Sequence, residues 1–79
     1  MTITDLITTK YFDVQLFTMD LAQYMVRQKL NTMSLAMLTG LNRKTLDDIC
    51  NGENWMNLKL VTLLILCDFT DLKLEKYIL

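Results

Sequence analysis

Apolar and polar positions follow a helical period over most of the chain, and the pattern is sharpest between residues 31 and 54, NTMSLAMLTGLNRKTLDDICNGEN. Two short amphipathic segments meet there at a glycine. Asn31 or Thr32 suits the N-cap of the first, because a short polar side chain accepts a bond from an otherwise unpaired backbone N–H. Leu35, Ala36 and Leu38 are its expected buried positions. Gly40 ends it, since a left-handed residue at a helix C-terminus costs least without a Cβ. Leu41 fills the turn and Asn42 caps the second segment, expected from about Arg43 to Cys50. Leu46, Ile49 and Cys50 fall at i, i+3 and i+4 and share one stripe. Asn51-Gly52 is a turn signal that ends it.

The flanking pattern adds three more helices. The first is expected over 18–29, opened by Thr18 or Asp20, with Leu21, Tyr24 and Met25 inward, Gln23, Arg27 and Gln28 outward, and Leu30 closing it onto the motif. After a loop over 53–56, in which Trp55 reads as an anchor at the edge of the core, Asn57 is expected to cap a helix over 58–69. Its residues Leu60, Val61, Leu63, Leu64, Ile65, Leu66 and Cys67 leave little polar face apart from Lys59, Thr62 and Asp68. Such a helix is either buried on most sides or carries spare apolar surface for a second subunit. Thr70-Asp71 is expected to cap a last short helix, 72–78, returning Leu74, Tyr77 and Ile78 or Leu79 to the core. Residues 1–17 precede this array as an extension. Their β-branched content suits a strand as well as a helix, and either core cover or a subunit interface fits them.

Composition narrows the class. Seventy-nine residues, 52% hydrophobic and 22% charged, with no proline and two glycines, describe one packed helical domain over 1–79. A core this small is marginal alone, so a homodimer is expected. Cys50 and Cys67, with no histidine in the chain, do not make a metal-binding pattern, and both read as buried reduced thiols. The start of the chain lacks the basic and continuous apolar parts of a signal peptide. The run Leu60–Cys67 is too short to span a bilayer. The expectation is a cytoplasmic protein with no membrane partner. Catalysis is not expected either. There is no His for a nucleophile–base pair, Ser34 is the only serine, and Asp47 and Asp48 are neighbours that do not face each other on a helix. No glycine-rich loop is present, and no cofactor is expected.

Charge is distributed unevenly. Residues 27–59 carry Arg27, Lys29, Arg43, Lys44 and Lys59 against Asp47, Asp48 and Glu53, a net of +2, whereas the whole chain has a net charge of −1. The positive charge sits with the motif and favours an anionic partner there.

A helix, a tight glycine turn and a second helix at a steep angle make a helix-turn-helix. Leu35-Ala36, Gly40, an apolar residue, the capping Asn42, then Arg43, Lys44, Thr45, Leu46, Ile49 and Asn51-Gly52 resemble the Cro/repressor-type helix-turn-helix family, also called the xenobiotic-response-element family, typical of phage and mobile-element regulators. The resemblance extends over roughly 18–79. It implies an all-α, five-helix, repressor-like domain that binds duplex DNA as a dimer and regulates transcription. The motif occupies 31–50, behind the N-terminal extension. It also implies that the second motif helix meets base edges in the major groove. Arg43 and Lys44 stand at its N-terminal end, flanked by Thr45, with Asp47, Asp48 and Asn51 on the same outer face. By the same resemblance Thr32 falls where the family often has a glutamine, and Asn51 and Asn54 fall at positions of backbone or groove contact. Thr32 is shorter than glutamine. Asp47 and Asp48 suit a groove only where a cytosine amino group donates to them, and Lys44 and Asp48, at i and i+4, can pair. The acidic pI of about 5.1 and these two carboxylates keep a second reading open: a protein-binding module on the same fold, such as a small phage antirepressor or inhibitor.

Overall fold

A computed structural model describes residues 12–55 and 58–78. Those residues form four α-helices, α1 (Val14–Arg27), α2 (Thr32–Thr39), α3 (Arg43–Asn51) and α4 (Leu60–Thr70), and a 3-10 turn, Leu74–Tyr77. The fold is all-α. The fifth helical segment expected over 72–78 is this shorter 3-10 turn, preceded by Lys73. Thr70 and Asp71 do not open it. Thr70 closes α4, its hydroxyl donating to the Leu66 carbonyl at 2.7 Å, and Asp71 is the left-handed residue at the α4 C-terminus, with φ of 61°.

The caps explain where the helices begin and end. The carboxylate of Asp13 accepts from the Leu16 N–H at 3.0 Å, and α1 starts at Val14 rather than at residue 18. At its end the chain turns through Lys29, at φ of 57°. The Leu30 N–H then donates back to the Met25 carbonyl at 2.8 Å and the Lys29 N–H to that of Val26 at 3.2 Å, which together form a Schellman closure. Asn31 caps α2 by accepting from the Ser34 N–H at 2.8 Å. Gly40, at φ of 76°, ends it. Asn42 caps α3 by accepting from the N–H groups of Lys44 and Thr45 at 2.8 and 3.4 Å. Gly52, at φ of 71°, closes it. Lys59 precedes α4 without a side-chain capping bond. The expected Asn57 cap lies outside the described residues, as do residues 1–11 of the extension and Leu79.

Each helix turns one stripe inward. Phe17, Leu21 and Met25 of α1, Leu35 of α2, Leu46 and Ile49 of α3, and Leu63, Leu66 and Cys67 of α4 form the buried core with Phe12, Trp55, Leu58 and Tyr77. Several positions differ from the sequence pattern: Tyr24 and Ala36, expected inside, are half-buried, and Ile78 is exposed. Leu38 is 60% exposed, because the inward arc of the two-turn α2 runs through Thr32, Leu35, Ala36 and Thr39, leaving Leu38 just past its edge. Cys50 is only half-buried, its thiol 3.9 Å from the Met25 sulfur. Burial pushes both thiols up, that of Cys67 to about 11, so neither has the thiolate character of a reactive cysteine. Helix α4 is apolar on both sides. Opposite its buried stripe, Val61, Leu64, Ile65 and Phe69 are exposed, which answers to the spare-surface alternative.

The two ends of the described chain are tied together. Phe12 forms an isolated antiparallel bridge with Ile78, and the Asp13 N–H donates to the Tyr77 carbonyl at 2.7 Å. The Tyr77 ring meets Phe17 edge-on at 5.1 Å, and Phe17 meets Trp55 edge-on at 5.8 Å, geometries favoured by the aromatic quadrupole. Trp55 is thus a core residue, as its apolar bulk suggests. The Tyr77 hydroxyl donates to Asp20 at 2.8 Å, and the Lys76 ammonium donates to the same carboxylate oxygen at 2.9 Å.

These contacts fix how stability depends on pH. The bonds from Lys76 and Tyr77 hold the Asp20 carboxyl below its usual value of 3.8. The contribution is therefore present above that value and lost as pH falls through it towards the lower folded pKa. Burial, and the bond to Asp20, push the Tyr77 hydroxyl well above its usual 10.0. The unfolded chain therefore ionises first, and stability falls as pH rises past about 10. Tyr77→Phe should cost about 1.5–3 kcal/mol at neutral pH, the scale of a hydrogen bond to a charged group, and should remove the alkaline loss that Tyr77 contributes. Thermal melts from pH 2 to 11 check both limbs. In the motif, a Cβ on Gly40 meets no atom within 4 Å. Gly40→Val should therefore cost about 1–2 kcal/mol through backbone strain alone. Ala36→Leu should cost about 1–3 kcal/mol by overpacking, since Ala36 packs against the core. Denaturant titration of the two variants checks these values.

Candidate nucleic-acid interface

Helix α3 is fixed from three directions. Asn42 sets its first turn, Leu46 and Ile49 anchor its inner face, and the left-handed Gly52 ends it. At that end the Glu53 N–H donates to the Asp48 carbonyl at 2.7 Å and the Gly52 N–H to that of Ile49 at 3.2 Å. The inner face packs on α1 and α2, so the outer face is held with little freedom of rotation. It carries no apolar bulk.

The residues expected at the site divide into two groups on this frame. Arg43 and Lys44 open the helix with their side chains 58% and 80% exposed. Each is followed four residues later by a carboxylate. The Arg43 Nε lies 3.9 Å from Asp47 Oδ2, and the Lys44 ammonium lies 3.7 Å from Asp48 Oδ2. The Lys44–Asp48 pair expected from the spacing is therefore formed, and Arg43–Asp47 repeats it. Both pairs are loose and solvated, the kind worth little to stability. Their effect is electrostatic: the two cations at the open end of the helix have counterions of their own.

The second group gathers on the far side of Asp48. Asn54, exposed and in the left-handed region at φ of 55°, donates from its amide to Asp48 Oδ2 at 3.0 Å. Thr45, Asp48 and Asn54 border an open groove of about 460 Å³ between α3, the loop after it and the start of α4, with Glu53, Lys59 and Thr62 completing its polar rim. Sequence reasoning passed over Glu53, Lys59 and Thr62 because they belong to the loop and the next helix and share no local spacing with the motif. Asn51 is exposed at the last position of α3, apart from the groove. Thr32 is half-buried in the first turn of α2. Among the described residues no group of His, Cys, Asp or Glu side chains is arranged to hold a metal ion, and no helix is long and apolar enough to cross a membrane.

The arrangement presents backbone-anchored cations, amides and carboxylates on one short helix beyond a glycine turn. No curated protein and no solved structure matches the chain. Residues 20–75, which span α2, the Gly40 turn, α3 and α4 together with most of α1, match the family model of the Cro/C1-type HTH DNA-binding domain, and the chain belongs to that family.

Proposed function

We propose that this chain is a sequence-specific transcriptional regulator that binds duplex DNA as a homodimer, with α3 in the major groove. The observation that carries this reading is the outer face of α3. Its inner stripe is committed to the core at Leu46 and Ile49, so Arg43 and Lys44 project from its open first turn, the end that meets base edges in helix-turn-helix complexes. Either side chain suits guanine O6 and N7, or a phosphate. Thr32, Thr45, Asn51 and Asn54 are the polar side chains we assign to the flanking backbone contacts. The likeness of the motif to phage and mobile-element regulators supports a role of that kind, in the cytoplasm where such DNA is read.

Neutralising a phosphate releases its counterions, so affinity falls with salt in proportion to the number neutralised. Arg43→Ala and Lys44→Ala should each weaken binding to duplex from the gene's own promoter region. Each should also flatten the log–log salt dependence by about 0.9 for every phosphate left without its cation. Asp47→Asn combined with Asp48→Asn should raise affinity for random duplex at low salt, because it removes repulsion from phosphates and frees Lys44. A salt-titrated binding assay reads all of these. The ion-paired cations and the acidic pI favour the competing protein-binding module. On that reading DNA affinity stays negligible in every variant, and the aspartate changes weaken a protein partner instead.

The dimer is supported by the exposed apolar residues Val61, Leu64, Ile65 and Phe69 on α4, a face on which Asp68 is the one charged residue of the helix and which a second copy can cover across a two-fold axis. Light scattering at micromolar concentration should give about twice the chain mass of 9.3 kDa. Leu64→Glu with Ile65→Glu should return it to the monomer value. A doubled mass that survives this pair of changes would move the interface off α4.

A further inference from the structure

We propose that the adjacent carboxylates of α3 do different work in a DNA groove: Asp47, with Arg43, reads a G·C pair, and Asp48 positions Lys44 and the loop at Asn54 without touching a base. This deepens the DNA-binding reading above and rests on it. Neighbouring residues on a helix point roughly 100° apart, from 3.6 residues per turn, so Asp47 and Asp48 cannot share one target. Their surroundings differ accordingly. Asp48 Oδ2 accepts from the Asn54 amide at 3.0 Å and lies 3.7 Å from the Lys44 ammonium, with its side chain only 20% exposed. It borders the groove against α4. Its charge is already answered by two internal groups. Asp47 is 44% exposed, and among the described residues its one neighbour of opposite charge is the Arg43 Nε at 3.9 Å, too far for a hydrogen bond. Among the described residues no hydrogen-bond donor occupies either of its oxygens.

The chemistry of the Arg43–Asp47 pair then selects a base pair. Asp47 approaches Arg43 from the Nε side, which leaves the terminal Nη groups free to fork onto guanine O6 and N7. An ionised carboxylate only accepts. In the major groove cytosine offers the N4 amino donor, whereas the adenine amino group stands beside the N7 acceptor, which repels a carboxylate. Thymine and guanine edges offer acceptors alone. Asp47 therefore favours cytosine and penalises every other base at its position, while Arg43 favours guanine. Four residues of α-helix advance about 6 Å along the axis, so the two side chains reach the same base pair or neighbouring ones. The Lys44–Asp48–Asn54 cluster stands to one side and sets the height of the Lys44 charge relative to the phosphates.

Selection of bound sequences from a randomised duplex library tests the assignment, run on the full chain and on Asp47→Asn, Asp48→Asn and Arg43→Ala, with random-duplex affinity measured alongside. The unaltered chain should enrich sites holding a guanine with a cytosine in the same or a neighbouring pair. Asp47→Asn should relax the cytosine position by roughly tenfold, the scale of one base contact, while random-duplex affinity rises. Asp48→Asn, whose new side chain still accepts from Asn54, should raise random-duplex affinity and leave the selected sequence unchanged. A merely structural carboxylate would instead lower all affinities together. Arg43→Ala should relax the guanine position. A selected sequence unaltered by Asp47→Asn, or a cytosine preference lost in Asp48→Asn alone, overturns the proposal and leaves DNA binding standing. If the unaltered chain enriches nothing and binds no duplex at low salt, the DNA-binding reading falls and this assignment falls with it.

Discussion

The fold depends on the closure at Tyr77. A domain this small buries little surface per residue, and its ends are where packing fails first. Here the far end of the chain returns to the start of α1. Tyr77 is fully buried, stacks edge-on against Phe17, and reaches Asp20 with its hydroxyl. Aromatic area and a charge-assisted bond thus act on one side chain, and the bond answers the hydroxyl that burial takes from water. Lys76 adds a second donor to the same oxygen. The first half of helix α1 is held by this contact, at Asp13, Phe17 and Asp20, and α1 is, with α2, the surface on which α3 packs.

The motif was the legible part of the fold because its signals are local. Gly40, Asn42 and Gly52 act through bonds that span two to five residues, and each does what its residue type allows: a left-handed turn for the glycines, a capping acceptor for the asparagine. Leu46 and Ile49 are one helical turn apart and both are buried. The misplaced boundaries involve signals of another kind. Helix α1 begins at Val14 because Asp13 caps it, a short polar residue that competes with Thr18 and Asp20 for the same role, and the Asp13 backbone is in turn tied to the Tyr77 carbonyl, a partner 64 positions away that no window reveals. Its end uses a left-handed lysine, Lys29, where composition gives no hint of a turn. Thr70-Asp71 has the look of an N-cap, yet the same short side chains serve equally at a helix C-terminus, and there Thr70 bonds back to Leu66.

Of the candidate site, the outer face of α3 and one of its pairings were legible, but not Glu53, Lys59 and Thr62 across the groove. Spacing alone brings Lys44 to Asp48, and the structure adds the equivalent contact of Arg43 with Asp47. Hidden from sequence was the loop. Asn54 lies six positions from Asp48 and meets it only because Gly52 reverses the chain between them. That contact makes two adjacent and chemically identical aspartates unequal, one answered internally and the other open.

A recognition helix that carries its own counterions changes the balance between finding DNA and reading it. Attraction to phosphates is the same for every sequence, so unpaired cations raise correct and incorrect binding alike. Discrimination depends on the difference between them, weighed against a vast excess of wrong sites. Carboxylates beside Arg43 and Lys44 lower the common term, since a cation already near an anion gains less from a phosphate. A carboxylate open to the groove acts on the difference as well, because it is repelled wherever no amino group donates to it. Low net charge and an acidic pI are therefore compatible with membership of a DNA-binding helix-turn-helix family.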